Sequence, residues 1–127
     1  MNIVLLSNDK KLETMIFKLD LIKRHTLSVV KNNNDPLDLV SSILTFHPRL
    51  IILDDDYVKP DSVTIIEFLK KIKNDLYIFF ITSDSDIELG KKICQLGVNI
   101  YLYKPLKQSE IYQSLESIIN VINKENV

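Results

Sequence analysis

Residues 50–60 read LIILDDDYVKP. Four large apolar residues run straight into three adjacent aspartates, and a proline follows at position 60. A short apolar run without alternation is the pattern of a strand covered on both faces. Three mutually repelling carboxylates at its end need a reason. One acid there serves as a helix cap or a solvated loop residue, whereas three point to a site for a cation, a phosphoryl group or both.

Outward from this run, short β-type segments alternate with amphipathic helical segments. The predicted strands are Asn2–Leu6, Thr26–Val30, Leu50–Asp54, Tyr77–Thr82 and Asn99–Tyr103. Leu12, Met15, Ile16 and Leu19 follow the i, i+3, i+4, i+7 spacing of a helix with one buried face. Ile65, Phe68, Leu69 and Ile72 repeat it, and the last helix carries Ile111, Leu115, Ile118, Ile119 and Ile122. Helix boundaries are also marked. Asp35 is placed as a cap before Pro36 at the first helical position, Ser85 and Glu88 have capping-box spacing, and Gly97 suits a helix end. Gly90 falls in the middle of the fourth helix, at a cost of about 1 kcal/mol relative to alanine, so that helix is expected to be the most labile. The segments KNNND and YVKPDS read as exposed loops. Five βα units in 127 residues predict an α/β fold, a (βα)5 flavodoxin-like doubly wound parallel sheet of strand order 2-1-3-4-5, forming one domain over residues 1–127. Ligands of such sheets sit beyond the carboxyl ends of the strands, where strands 1 and 3 diverge. Those ends carry Ser7, Asn8 and Asp9, and Asp54, Asp55 and Asp56.

The formal charge of −1 gives no basis for direct nucleic-acid binding or for attraction to an anionic membrane. The runs LIIL and YIFFI are far too short to span a bilayer, and the N-terminus lacks the pattern of a cleaved leader. One cysteine, Cys94, excludes an internal disulfide and reads as a small buried hydrophobe. The expected localisation is cytoplasmic.

Strand 4 ends in Thr82 and Ser83, and strand 5 runs into Lys104 and Pro105. Carboxylates, a hydroxyl and one ammonium at four strand ends make a phosphoryl-handling set: an aspartate nucleophile, a hydroxyl donor and a lysine to neutralise charge. Bland readings stand beside these. Asp9 suits an N-cap, Asp55 a solvated loop acid, Thr82 and Ser83 a strand end, and Lys104 a structural ion pair. His25, His47 and the Lys91–Lys92 pair have no partner spacing and read as structural or solvated.

The chain resembles a bacterial response-regulator receiver (CheY-like) domain. The matching features are Pro48-x-LIIL-Asp54, Thr82-Ser83 after strand 4, and Gly97 followed by YLYKP. The resemblance implies that Asp54 accepts a phosphoryl group from a sensor histidine kinase. It implies that Thr82 and Lys104 hold the phosphoryl oxygens, that Tyr101 is the aromatic that reorients, and that Asp56 offers its backbone carbonyl to Mg²⁺. It also implies no enzyme, but a two-component phosphorelay module signalling to an output protein or effector domain. The signalling surface would be the fourth helix, fifth strand and fifth helix, a face that also allows a homodimer.

The chain departs from the family at two places. The two adjacent acids that usually end strand 1 are Ser7 and Asn8 here. Asn8 can offer only a neutral carbonyl and Ser7 only a hydrogen bond to a metal-bound water, so Mg²⁺ binding is expected to be weak or absent. Asp9 and Asp56 are the residues that would return charge to a metal site containing Asp54. Pro60 stands six beyond Asp54 but four beyond Asp56, the family spacing, which keeps Asp56 open as the acceptor. The alternative function is a phosphorylation-independent pseudo-receiver acting as a protein–protein interaction module. LDDDYV also fits the nucleophile strand of haloacid-dehalogenase-like phosphatases, but the further acidic pair those enzymes carry after the lysine has no counterpart before the last helix.

Overall fold

The structure is a computed structural model describing residues 1–31 and 35–125. Five parallel strands lie in the order β2-β1-β3-β4-β5: β1 Asn2–Leu6, β2 Thr26–Val30, β3 Leu50–Asp54, β4 Tyr77–Thr82 and β5 Ile100–Tyr103. This is the flavodoxin-like (βα)5 arrangement expected from the sequence. The helices are α1 Lys10–Phe17, α2 Pro36–Leu44, α3 Asp55–Val58, α4 Ser62–Ile72, α5 Ile87–Gln95 and α6 Gln108–Glu125, with a 3-10 turn at Ile22–Arg24. Among the described residues, no helix is long and apolar enough to cross a membrane.

The sheet divides the interior in two. Alternate residues of a strand point to opposite faces. Ile3, Leu5, Leu50, Ile52, Phe79 and Ile81 therefore pack against α1 and α6 through Leu12, Ile16, Ile111 and Leu115. Val4, Leu6, Ile51, Leu53, Ile78 and Phe80 pack against α2, α4 and α5 through Leu39, Ile43, Ile65, Leu69 and Ile93. Every residue of β3 and β4 is buried, which is why both read as unbroken apolar runs.

Several local expectations are corrected. β5 begins at Ile100; Asn99, just before it, meets Ile78 twice, its N–H donating to the Ile78 carbonyl and its side-chain oxygen accepting the Ile78 N–H. Asp86, not Ser85, caps α5, its carboxylate accepting from the Glu88 N–H. Part of the segment expected as an exposed loop after β3 is the one-turn α3, with Val58 and Ser62 buried. Ile72, the last residue of α4, stands clear of the core at 63% exposure, and Cys94 is exposed rather than buried. Of KNNND, the asparagines at 32–34 lie outside the described residues. Asp35 caps α2 as expected, its carboxylate accepting from Leu37 and Asp38 N–H groups ahead of Pro36. Gly97 follows α5 at φ +91°, a conformation side chains disfavour.

Gly90 is different. A Cβ there would lie 3.7 Å from the Tyr101 hydroxyl, ordinary contact, at a negative φ. Gly90→Ala is therefore expected to stabilise the protein by about 0.5–1 kcal/mol. Urea denaturation checks this, and a destabilised variant would show that the space is needed.

Candidate functional site

The carboxyl ends of β1, β3, β4 and β5 converge on one ammonium. Lys104, just past β5, has its nitrogen 3.0 Å from Asp54, 3.2 Å from Asp9 and 3.2 Å from Asp56. Its backbone N–H donates to the Thr82 carbonyl at 2.8 Å, which continues the β4–β5 pairing and fixes where the side chain starts. The peptide bond to Pro105 is cis, as is Lys59–Pro60.

Asp54 ends β3 and caps α3, accepting the Asp56 N–H on Oδ1 at 3.1 Å. The Ser7 hydroxyl donates to its Oδ2 at 2.7 Å, and the side chain is 1% exposed. Asp9 does two things at once. Its Oδ1 caps α1 through the N–H groups of Lys11 and Leu12, while its Oδ2 faces Lys104. Asp56, the most open of the β3 acids that meet Lys104, accepts the Ser83 hydroxyl at 2.6 Å and lies 3.4 Å from Lys59. Asp54 and Asp56 lie on the same side, both facing Lys104. The chain turns into α3 at Asp55, and the helical turn brings Asp56 back towards Lys104.

Electrostatics follow from this geometry. Burial pushes the Asp9 and Asp56 carboxyls upward. The Leu12 N–H and Lys104 outweigh it at Asp9, and Ser83, Lys104 and Lys59 outweigh it at Asp56, so both end below the usual carboxylate value. Burial pulls Lys104 down, but Asp54, Asp56 and Asp9 together raise it above the ordinary lysine value.

Asp55 is not the solvated acid expected. It is 2% exposed and points away from Lys104, accepting the Thr82 hydroxyl at 2.7 Å and the Ser62 hydroxyl at 2.5 Å. Thr82 is fully buried, and its hydroxyl oxygen also accepts the Asp84 N–H at 2.9 Å. The structure thus keeps Thr82 out of the group around Lys104 and brings Ser83 in. Tyr101 is half-buried, its ring 5.1 Å from Phe80 and 5.2 Å from Tyr103. Its hydroxyl is buried without a hydrogen-bond partner among the described residues. Burial first, and the neighbouring Tyr103 phenol second, push its pKa up to about 12.

The expected metal set was Asp54, Asp56, Asn8 and Asp9. The Asn8 side chain is exposed, and the Ser7 hydroxyl is engaged with Asp54. The three carboxylates are arranged around an ammonium at 3.0–3.2 Å, whereas Mg²⁺ demands oxygens at about 2.0–2.1 Å in near-octahedral array. Among the described residues no three acids stand at metal-ligand spacing. The oxygen donors are of the right kind, but their arrangement fits Lys104 and not a divalent cation.

Ser83, Ser62 and buried Asp55 are the site residues that sequence reasoning missed. Ser83 is visible in the Thr82-Ser83 pair, but the family resemblance gives the hydroxyl role there to Thr82. A Ser62–Asp55 bond leaves no trace in local spacing.

Residues 4–116 match the response regulator receiver domain family. The Fimbriae Z protein of Salmonella typhimurium is 22% identical over 117 residues, 92% of this chain and 56% of that protein. The probable C4-dicarboxylate response regulator DctR of Priestia megaterium is 26% identical over 104 residues, 79% of this chain and 46% of that protein. The chain thus spans about half the length of these curated relatives. Among solved structures, a CheY-like receiver domain from Methanospirillum hungatei aligns with a TM-score of 0.79 at 12% identity, covering 98% of this chain and 97% of that one. The receiver domain of a DNA-binding response regulator from Colwellia psychrerythraea aligns with a TM-score of 0.78 at 18% identity, covering 94% and 98%. With a family match across most of its length and strand ends that gather acids around one lysine, this chain belongs to the response-regulator receiver domains of two-component signalling.

Proposed function

We propose that this receiver accepts a phosphoryl group on Asp54 from the phosphohistidine of a sensor kinase and passes the change to an output protein or effector domain. The observation that carries this reading is Lys104, whose ammonium lies 3.0 Å from Asp54 at the mouth of the sheet. An Asp54 carboxylate oxygen attacks phosphorus, the P–O bond forms, and the P–N bond breaks with its electron pair left on the imidazole. Lys104 neutralises charge that grows on the phosphoryl oxygens. Water later attacks phosphorus, releasing inorganic phosphate and restoring the carboxylate. Receiver domains generally bind Mg²⁺ at this pocket; here the Lys104 ammonium stands among the acids that would hold it.

The domain is a cytoplasmic signalling module, not a turnover enzyme, and does not itself read nucleic acid. Its output surface is α5, β5 and α6, where Ile87 and Tyr103 are 69% and 49% exposed, and the same face would serve a homodimer. A phosphorylation-independent pseudo-receiver is the second reading. It is favoured by an Asp54 side chain only 1% exposed, with both oxygens engaged, beside Ser7 and Asn8 in place of acids.

Intact mass after incubation with acetyl phosphate, with and without Mg²⁺, separates the two. The wild type and Asp56→Ala are expected to gain one phosphoryl group, and Asp54→Ala none. Loss in Asp56→Ala alone would move the acceptor. No adduct in any protein would leave the pseudo-receiver.

A further inference from the structure

Asp55 is a buried carboxylate whose two hydrogen bonds come from hydroxyls, Thr82 on Oδ2 and Ser62 on Oδ1, and not from a cation. Hydroxyl donors to an ionised oxygen make strong hydrogen bonds, so this arrangement satisfies the buried charge and holds both partners firmly. The Thr82 hydroxyl has a single proton. While that proton is given to Asp55, none is left for a phosphoryl oxygen on Asp54, the next residue back along the chain. The oxygen of the same hydroxyl accepts the Asp84 N–H, so its orientation is set from two directions.

We infer that Asp55 is a positioning residue, an internal competitor that withholds the Thr82 hydroxyl from Asp54 and so limits how far the phosphorylated state accumulates. This rests on the reading of Asp54 as acceptor. Two effects act with the same sign. The hydroxyl must leave a charged partner before it can serve the phosphoryl group, and the Asp55 charge, held out of water next to the acceptor, opposes the arrival of a dianion.

Two substitutions separate these effects. Asp55→Asn removes the charge and keeps an acceptor for Thr82, whereas Asp55→Leu removes both and fills the space with an apolar side chain. At a fixed acetyl phosphate concentration, the ratio of phosphorylated to unmodified protein is expected to rise about tenfold in Asp55→Leu and by less in Asp55→Asn, in line with the loss of one charge-assisted hydrogen bond. Adding Thr82→Val to Asp55→Leu is expected to bring the ratio back to about that of Asp55→Asn, removing the share due to the hydroxyl and leaving the share due to charge, which a merely structural effect of Asp55 would not do. Couplings to the Thr82 methyl, read by NMR without any phosphoryl donor, are expected to show one χ1 rotamer in the wild type and averaging in Asp55→Leu. A wild type that is phosphorylated, with an Asp55→Leu ratio no higher or a gain that Thr82→Val leaves wholly unchanged, would overturn the role of Asp55 alone. An unchanged Thr82 rotamer in Asp55→Leu would overturn it as well. Absence of the adduct in every protein would overturn the acceptor reading, and the competition for phosphoryl with it.

Discussion

Lys104→Met is expected to lower stability at pH 7 by about 3 kcal/mol, the low end of the range for removing one partner of a buried ion pair. The low end applies because Lys104 and its partners Asp9 and Asp56 are 19%, 35% and 24% exposed at the side chain and water takes up some of the lost interaction. Asp54, at 1%, has no such recourse. The pH dependence follows from the directions of the shifts. Asp9 and Asp56 titrate below their ordinary value of 3.8, so their contribution is present above that value and lost as pH falls through their folded pKa values. Lys104 titrates above 10.5, so its contribution is present below that value and lost as pH rises through its folded pKa. The gap between wild type and variant is thus expected to be widest between about pH 5 and pH 10 and to narrow in stronger acid. Urea denaturation across pH measures it. The same variant frees three carboxylates from their ammonium, and its Mg²⁺ affinity by calorimetry is expected to exceed the wild type's about tenfold or more. A flat pH profile with unchanged Mg²⁺ affinity would mean the lysine is held by something other than these acids.

Phe80→Ala is expected to cost about 3–5 kcal/mol, the usual range for emptying a buried aromatic site. Phe80 has no exposed surface and lies at the centre of β4, on the face that packs against α2, α4 and α5. The site is not a simple void, because the Tyr101 ring lies 5.1 Å away. Burial is the largest cause of the Tyr101 pKa of about 12, so water admitted beside the ring is expected to bring its titration back towards 10. Spectroscopic titration of the phenolate reads this apart from stability. A loss below about 1.5 kcal/mol with an unmoved tyrosine would show that neighbouring side chains close the gap.

The sheet order and both halves of the core were legible because apolar periodicity is set by the very faces that must be covered. LIIL and YIFFI could read as nothing but doubly covered strands once helices alternated with them. Asp54, Asp9 and Lys104 were legible for another reason: parallel topology brings carboxyl ends together whatever the side chains are. What escaped depends on turns shorter than any periodicity. Three aspartates in a row look alike, yet the change from strand to helix at Asp55 sends Asp54 and Asp56 to Lys104 and buries Asp55 against Thr82. Cys94 escaped because composition ranks cysteine as buried, while its place on α5 next to buried Ile93 puts it on the outer side.

Asp9 divides its carboxylate between two duties, with Oδ1 starting a helix and Oδ2 meeting the lysine. An asparagine keeps an oxygen for the first duty and gives up the charge for the second. The start of the helix is therefore indifferent to a change that rewrites the chemistry at that position. A lineage carrying such residues can drift from a regulated switch to a silent binding module, and back, through single isosteric steps that leave the helix cap in place. Ser7 and Asn8 stand where receiver domains usually carry two acids, and neither brings a charge.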